Sequence, residues 1–399
     1  MNSRDRFNAS LRFQPIDRPF RWESLGMWPE TLDRWYSEGL DLSLKQPQPG
    51  DWGALESDEF ERVLVHAFAF DRIDYLGQAV LSGYTDTPFC PSFEVQVLSE
   101  DGQTRLLRDR DGILKRELTT YNTSSMPQFL RFPVETRQDF LDLLPRLDPD
   151  TPERLSPRWR QLCSAYAQRD FPAGLTICGA FDHPRNLLGV EALCTAYYDQ
   201  PELIHEILEH WLDFYTRLAA RAWRDLQFDF VLIWEDMAYR GGSLISPRIF
   251  RRFMLPVYRR LVDFLHSLAP QPPQLAPPVV IVDSDGDVSE LVPLFLEAGV
   301  EAVLPFEVQA GMDVRQFRQK FGNNLAIIGG LDKRLLVEAG AGLQAEIAAR
   351  VPPLLAGGGY IPSLDHTVPP DVSLANFRRY LQLLRVYSDN PDFQGASSS

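Results

Sequence analysis

From residue 175 onward the chain repeats one pattern: a short, mostly apolar run, then an amphipathic helical stretch. The runs occupy residues 175–180, 229–234, 279–282, 302–306, 325–328 and 360–363. A run without polar alternation is buried on both faces, which for a strand means parallel sheet covered by helices. The helices between the runs carry their own signals. Pro201 opens one in which Leu203, Ile204, Ile207, Leu208, Trp211, Leu212 and Tyr215 recur at helical spacing. Ser246-Pro247 provides a cap and a first-turn proline for another, with Phe250, Phe253, Met254, Leu261 and Phe264 on its apolar stripe. Pro256 is expected to kink it.

Two further strand candidates lie upstream, residues 18–22 (before a helix near 29–36) and the weaker run 76–81. Eight strand–helix units close a (β/α)8 TIM barrel, so the expectation is an α/β protein with one barrel over residues 1–389. Residues 88–118 break the pattern. Phe93, Val95 and Val97, then Leu106 and Leu107, alternate around Asp101-Gly102 and Asp111-Gly112, which reads as an inserted antiparallel hairpin region. Residues 270–278 form a Pro-rich connector, and residues 390–399, small and polar, are expected to be a disordered tail.

Charge narrows the partners. With 40 basic against 55 acidic residues the net charge is −15, which argues against nucleic acid and anionic membrane surfaces. No run of about 18 apolar residues is present for a membrane span. Cys90, Cys163, Cys178 and Cys194 form neither a CxxC pair nor a disulfide ladder, which fits a reducing, cytoplasmic setting.

A barrel enzyme carries its chemistry at the C-terminal ends of its strands. That filter selects Trp22, Glu23 and Ser24; Cys178, Asp182, His183 and Arg185; Trp234, Glu235, Asp236 and Tyr239; Asp283, Asp285 and Asp287; Glu307; Gly329, Gly330, Asp332 and Lys333; and Asp365 with His366. Carboxylates crowded on one rim repel, which raises pKa values or calls for a cation. Asp287 and Asp332 read as helix caps. His366, beside Asp365 after the last strand, is the strongest acid/base candidate, because a carboxylate can set its tautomer and basicity. Asp365, Asp285, Glu235 and Asp236 join it as catalytic candidates. Trp22, Glu23, His183, Arg185, Trp234, Tyr239, Glu307 and Lys333 are candidates for binding substrate. Asp283, Asp285, Glu307 and His366 are the oxygen and nitrogen donors from which a divalent metal site could be built. His205 and His210 are five apart, not the four that a zinc helix needs, and read as surface residues. Gly357-Gly358-Gly359 precedes a strand and falls on the opposite end from the chemistry.

Several of these stretches resemble the uroporphyrinogen decarboxylase superfamily: residues 358–372 (Gly-Gly-Tyr-Ile-Pro-Ser-Leu-Asp-His-Thr-Val-Pro-Pro-Asp-Val), 234–237, 282–286, 327–333, and the opening through Asp17-Arg18-Pro19. The resemblance spans nearly the whole chain and implies a (β/α)8 barrel. Within that superfamily, decarboxylases of uroporphyrinogen clamp an acidic tetrapyrrole with two arginines after the first strand. The matching residues here are Trp22-Glu23-Ser24-Leu25-Gly26-Met27, with both guanidinium groups lost, and Gly83-Tyr84 stands where that branch has an Asp. The corrinoid-dependent methyltransferase branch, to which the insertion is closer, binds zinc through His-x-Cys and a later Cys. Asp283-Ser284-Asp285 and Leu364-Asp365-His366 match those places, with no thiolate at either. The resemblance thus implies a divergent enzyme acting on a one-carbon unit, by methyl transfer or demethylation with a corrinoid protein or a folate as methyl donor or acceptor. Decarboxylation of a small, less anionic acid and non-catalytic binding of a small ligand are the alternatives. The resemblance also suits a homodimer.

Overall fold

The computed structural model describes residues 1–48, 59–76, 80, 87–119, 126–268 and 276–389. Its strands, in chain order, are β1 (Asp74–Tyr75), β2 (Gln96–Glu100), β3 (Thr104–Arg108), β4 (Leu114–Leu118), β5 (Gln128–Arg131), β6 (Ala173–Cys178), β7 (Phe230–Glu235), β8 (Ala238–Tyr239), β9 (Gly242–Ser243), β10 (Val279–Ser284), β11 (Ala302–Leu304), β12 (Ala326–Ile328) and β13 (Tyr360–Ile361). Seven of them, in the order β1-β6-β7-β10-β11-β12-β13, form one sheet, and every pairing in it is parallel. The six apolar runs read from the sequence each hold one of its strands. The strand expected at 76–81 is two residues long and earlier, at β1; residues 77–79 and 81, like Gly83-Tyr84 and the tail 390–399, lie outside the described residues.

Alternation divides each strand between two cores. Phe230 and Leu232, Val279 and Ile281, Ala302 and Leu304, Ala326 and Ile328, and Ile361 share an inner cluster with Phe20, Trp22 and Ile73. Val231, Ile233, Val280, Val282, Val303, Ile327 and Tyr360 belong to the larger cluster under the helices. The sheet is therefore curled, with its concave side packed by its own side chains. Helix Ser3–Leu11 plugs the N-terminal end: Phe7 lies edge-on to Phe20 at 5.2 Å and tilted on Phe230 at 5.1 Å.

The eighth strand expected at residues 18–22 is absent as a ladder, so an eight-stranded barrel is not what the hydrogen bonding describes. The segment lies between β1 and β13 and is held by carboxylates instead. On one side Arg21 N donates to Asp71 Oδ2 and Arg21 O accepts from Asp71 N. On the other, Glu23 accepts from Ser363 Oγ and Leu364 N, both at 2.9 Å, and Ser24 N reaches Ser363 Oγ at 3.4 Å. Arg18 closes on Asp71 at 2.6 Å.

The insertion is a four-stranded antiparallel sheet, β2-β3-β4-β5. It extends beyond the hairpins read over 88–118, because β5 lies ten residues past β4, across residues 120–125 outside the described set. Helix Pro247–Ile249 continues through a π turn, Phe250–Met254, into Leu255–Ser267. That turn accommodates Pro256, which lacks an amide hydrogen, at the place where a kink was expected. None of the described helices is long and apolar enough to cross a membrane.

Candidate functional site

The parity of each strand decides which strand-end carboxylates meet. On β10, Val279 and Ile281 face inward, so Asp283 and Asp285 continue that row above the apolar floor. On β7, Trp234 and Asp236 follow Phe230 and Leu232, whereas Glu235 follows Val231 and Ile233 outward. Trp234 pairs directly with Asp283 in the ladder. The chain after β13 turns His366 toward the same mouth, where its Nε2 lies 3.4 Å from Asp285 Oδ2. Thr367 N donates to His366 Nδ1 at 2.8 Å, so the ring proton sits on Nε2, facing the carboxylate. Two residues 81 apart in sequence thus converge, and Asp285, not Asp365, is the carboxylate that faces the imidazole.

Asp283 is 3% exposed. Burial, then the charges of Asp285 and Asp236, push its pKa well up, and no hydrogen bond to its carboxyl contributes. Asp285 Oδ1 lacks a partner, as does Thr176 Oγ1, which strand parity turns to the same interior. Asp236 forms a close ion pair with Arg185, whose guanidinium also binds Asp182 at 2.5 Å. The one arginine that the sequence placed at this rim is therefore already shared between two aspartates.

The remaining candidates do structural work or stand apart. Asp365 accepts from Val308 N and Lys333 N, each at 2.9 Å, and so ties the loops after β11 and β12 together. Burial raises its pKa to about 6. Glu307 accepts from Gly286 N at 3.0 Å and holds the β10 loop. Glu235 accepts from Phe181 N, Asp182 N and the Tyr258 hydroxyl on the helix side, and burial raises its pKa to about 7. Gly179 is required there, because a Cβ would strike that carboxyl. Glu23, besides its bonds to β13, accepts from Tyr380 Oη at 2.6 Å, with its pKa raised by burial to about 7. His183 is buried in the helix layer near His210, and desolvation lowers its pKa to about 3, so it is a neutral core residue. His210 is itself half-buried, edge-on to Phe140 at 5.8 Å, and not the surface residue expected; His205 is exposed and stacks on Phe253. Trp22 is buried inside the sheet against Tyr75 at 6.1 Å. Tyr239 is 57% exposed on the β8–β9 hairpin, whose backbone touches Gly286. Lys333 is half-buried, its amide bound to Asp365.

A zinc site of the thiolate kind does not fit. Cys178 at the end of β6 turns its thiol to Asp182 at 3.3 Å, away from Asp283 and His366. Among the described residues no three His, Cys, Asp or Glu side chains are grouped to hold a metal ion, so the four metal candidates do not assemble: Glu307 is committed to Gly286, and only Asp285 and His366 touch. Gly357–Gly359 line a cavity of about 400 Å3 at the opposite, N-terminal end of the strands, as their place before β13 implied.

The family model of uroporphyrinogen decarboxylase (URO-D) matches residues 120–387, about two thirds of the chain, and the chain belongs to that family. No curated protein matches it. Among solved structures, a methyltransferase from Methanosarcina mazei superposes with a TM-score of 0.62 at 13% identity, covering 97% of this chain and 99% of that one. A B12-independent methionine synthase from Shewanella sp. W3-18-1 matches with a TM-score of 0.35 at 10% identity, over 57% of this chain and 64% of its own. The methyltransferase shares the fold over its whole length, insertion included in the span.

Proposed function

We propose that this chain is a methyl-transfer enzyme, working at the mouth formed by Asp283, Asp285, Trp234 and His366. The observation that carries the reading is the Asp285–His366 contact above a closed, apolar floor of Leu232, Ile281, Leu304 and Trp22. A substrate held there is shielded from below and meets a carboxylate, a buried carboxyl and an N–H donor. Arg185, tied between Asp182 and Asp236, offers no free fork to a carboxylate. This weighs against an acidic substrate, and above all against a porphyrinogen with its many carboxylates. Burial and the neighbouring carboxylates favour the protonated form of Asp283, which suits it as a proton donor at the floor of the mouth.

The atom that loses the methyl group sets the demand on these residues. A methylated oxygen departs as an anion and takes a proton, which Asp283 can supply. A methylated ammonium departs neutral and requires a counter-charge only while bound. A corrinoid protein or a folate would supply the methyl carrier when bound, docked over the same mouth, and we infer a homodimer from the family likeness.

The test is substitution at the contact. Asp285→Ala and His366→Ala are each expected to lower turnover by a factor of 100 or more while the melting temperature moves little, because neither side chain is part of the packed core. Unchanged methyl release from candidate donors in both variants would sink the reading. Release of CO2 from a small acid without any methyl acceptor would replace it with decarboxylation.

A further inference from the structure

Of the polar atoms left without partners at the mouth, one is a carboxylate oxygen and can only accept. Asp285 Oδ1 has no hydrogen-bond partner, and what acts on the Asp283 carboxyl among the described residues is burial and the charges of Asp285 and Asp236. One pairing level below, Thr176 faces the same interior beside Leu232, wholly buried, with its hydroxyl unpartnered. Buried polar atoms in native proteins are rarely left unsatisfied, so such a set points to a bound group. A carboxylate can only accept, so that group must donate hydrogen bonds or carry positive charge. The walls add a second requirement. Trp234 is the cross-strand neighbour of Asp283 on the same face, on parallel strands spaced about 4.8 Å apart. Aromatic faces beside carboxylates are the surroundings that bind alkylated ammonium groups, through attraction of the cation to the ring faces.

We propose that the substrate is a small organic cation, a methylated ammonium, seated against Trp234 with Asp283 and Asp285 as its counter-charges. The proposal rests on the methyl-transfer reading. The reaction then balances without a proton: a nucleophilic methyl acceptor forms the new bond to carbon, the C–N bond breaks, its electron pair stays on nitrogen, and a neutral amine leaves. His366, through its Nε2–H, positions Asp285. The other charged groups facing this place are Asp236 and Arg185, the guanidinium being shared with Asp182, so the surroundings stay net acidic.

Calorimetry on the full chain tests this with two probes of one shape: choline and its uncharged carbon analogue 3,3-dimethylbutan-1-ol. Choline is expected to bind at least tenfold more tightly. Asp283→Asn and, separately, Asp285→Asn should each weaken choline at least tenfold and leave the alcohol unchanged. Equal binding of the two probes, binding of neither, or choline affinity untouched in both variants overturns the cation site. Methyl release to reduced cobalamin is followed in parallel. Release from a neutral methyl ether but not from choline overturns the cation and keeps methyl transfer. Choline bound tightly with no methyl release from any donor keeps the cation site and overturns the methyl-transfer reading instead.

Discussion

Glu23 joins the first segment of the chain to its last strand, and replacing it by glutamine separates charge from geometry. In the folded protein its carboxyl is almost wholly buried and receives three hydrogen bonds, from Ser363 Oγ, Leu364 N and Tyr380 Oη. Burial nonetheless dominates and raises its pKa from 4.5 to about 7. Between those two values the unfolded chain has shed the proton while the folded chain keeps it. Stability from this group is therefore complete below pH 4.5 and is lost as the pH rises through 7. At roughly 1.4 kcal/mol per pH unit the loss is about 3 kcal/mol. Glutamine keeps the shape. Its carbonyl accepts from Ser363 and Leu364, and its amide donates to the Tyr380 hydroxyl, which can rotate to accept. Urea unfolding of Glu23→Gln should match the native protein within about 1 kcal/mol at pH 5 and exceed it by about 3 kcal/mol at pH 8. Glu23→Ala, which orphans three donors at about 1–3 kcal/mol each, should be weaker at both. If glutamine destabilises equally at both pH values, the carboxylate form is the one the fold requires, and the reasoning about burial fails.

Gly179→Ala should cost about 1–3 kcal/mol in urea unfolding, because its Cβ displaces the buried Glu235 carboxyl; unaltered stability would mean that the carboxyl moves freely. Asp365→Ala should leave Val308 N and Lys333 N without an acceptor, and faster amide exchange at those two positions is the reading to look for. The imidazole of His183, with a pKa near 3, should show no titration by NMR between pH 5 and 8, and a midpoint near 6.5 would place it in water instead. Leu98→Lys on the exposed strand β2 should change stability by less than about 0.5 kcal/mol.

The parallel sheet from β6 to β13 is visible in the sequence because its strands are buried on both faces and so read as unbroken apolar runs. β1 is not, because Asp74 points outward to Tyr166 and only Ile73 and Tyr75 face in. The closing segment fails for another reason: its apolar residues are real, but its backbone is satisfied by Asp71 and Glu23 side chains, which no periodicity encodes. The rim was read as one set of carboxylates. Each strand in fact sends alternate residues to opposite sides, so Glu235 and Trp234 part company. That alternation is present in the sequence, but with both faces apolar nothing indicates which row points inward. Thr176, a lone hydroxyl in an apolar run, is the one residue of β6 that marks its inward row in the sequence.

The seam at Glu23 spans 340 residues of chain to Ser363. A ribosome delivers Phe20 and Trp22 long before the strand that encloses them. Contacts of such separation form late, because the intervening loop must first be ordered. Until then those rings have no lasting shelter, so the segment that carries them needs a custodian while the intervening residues are made.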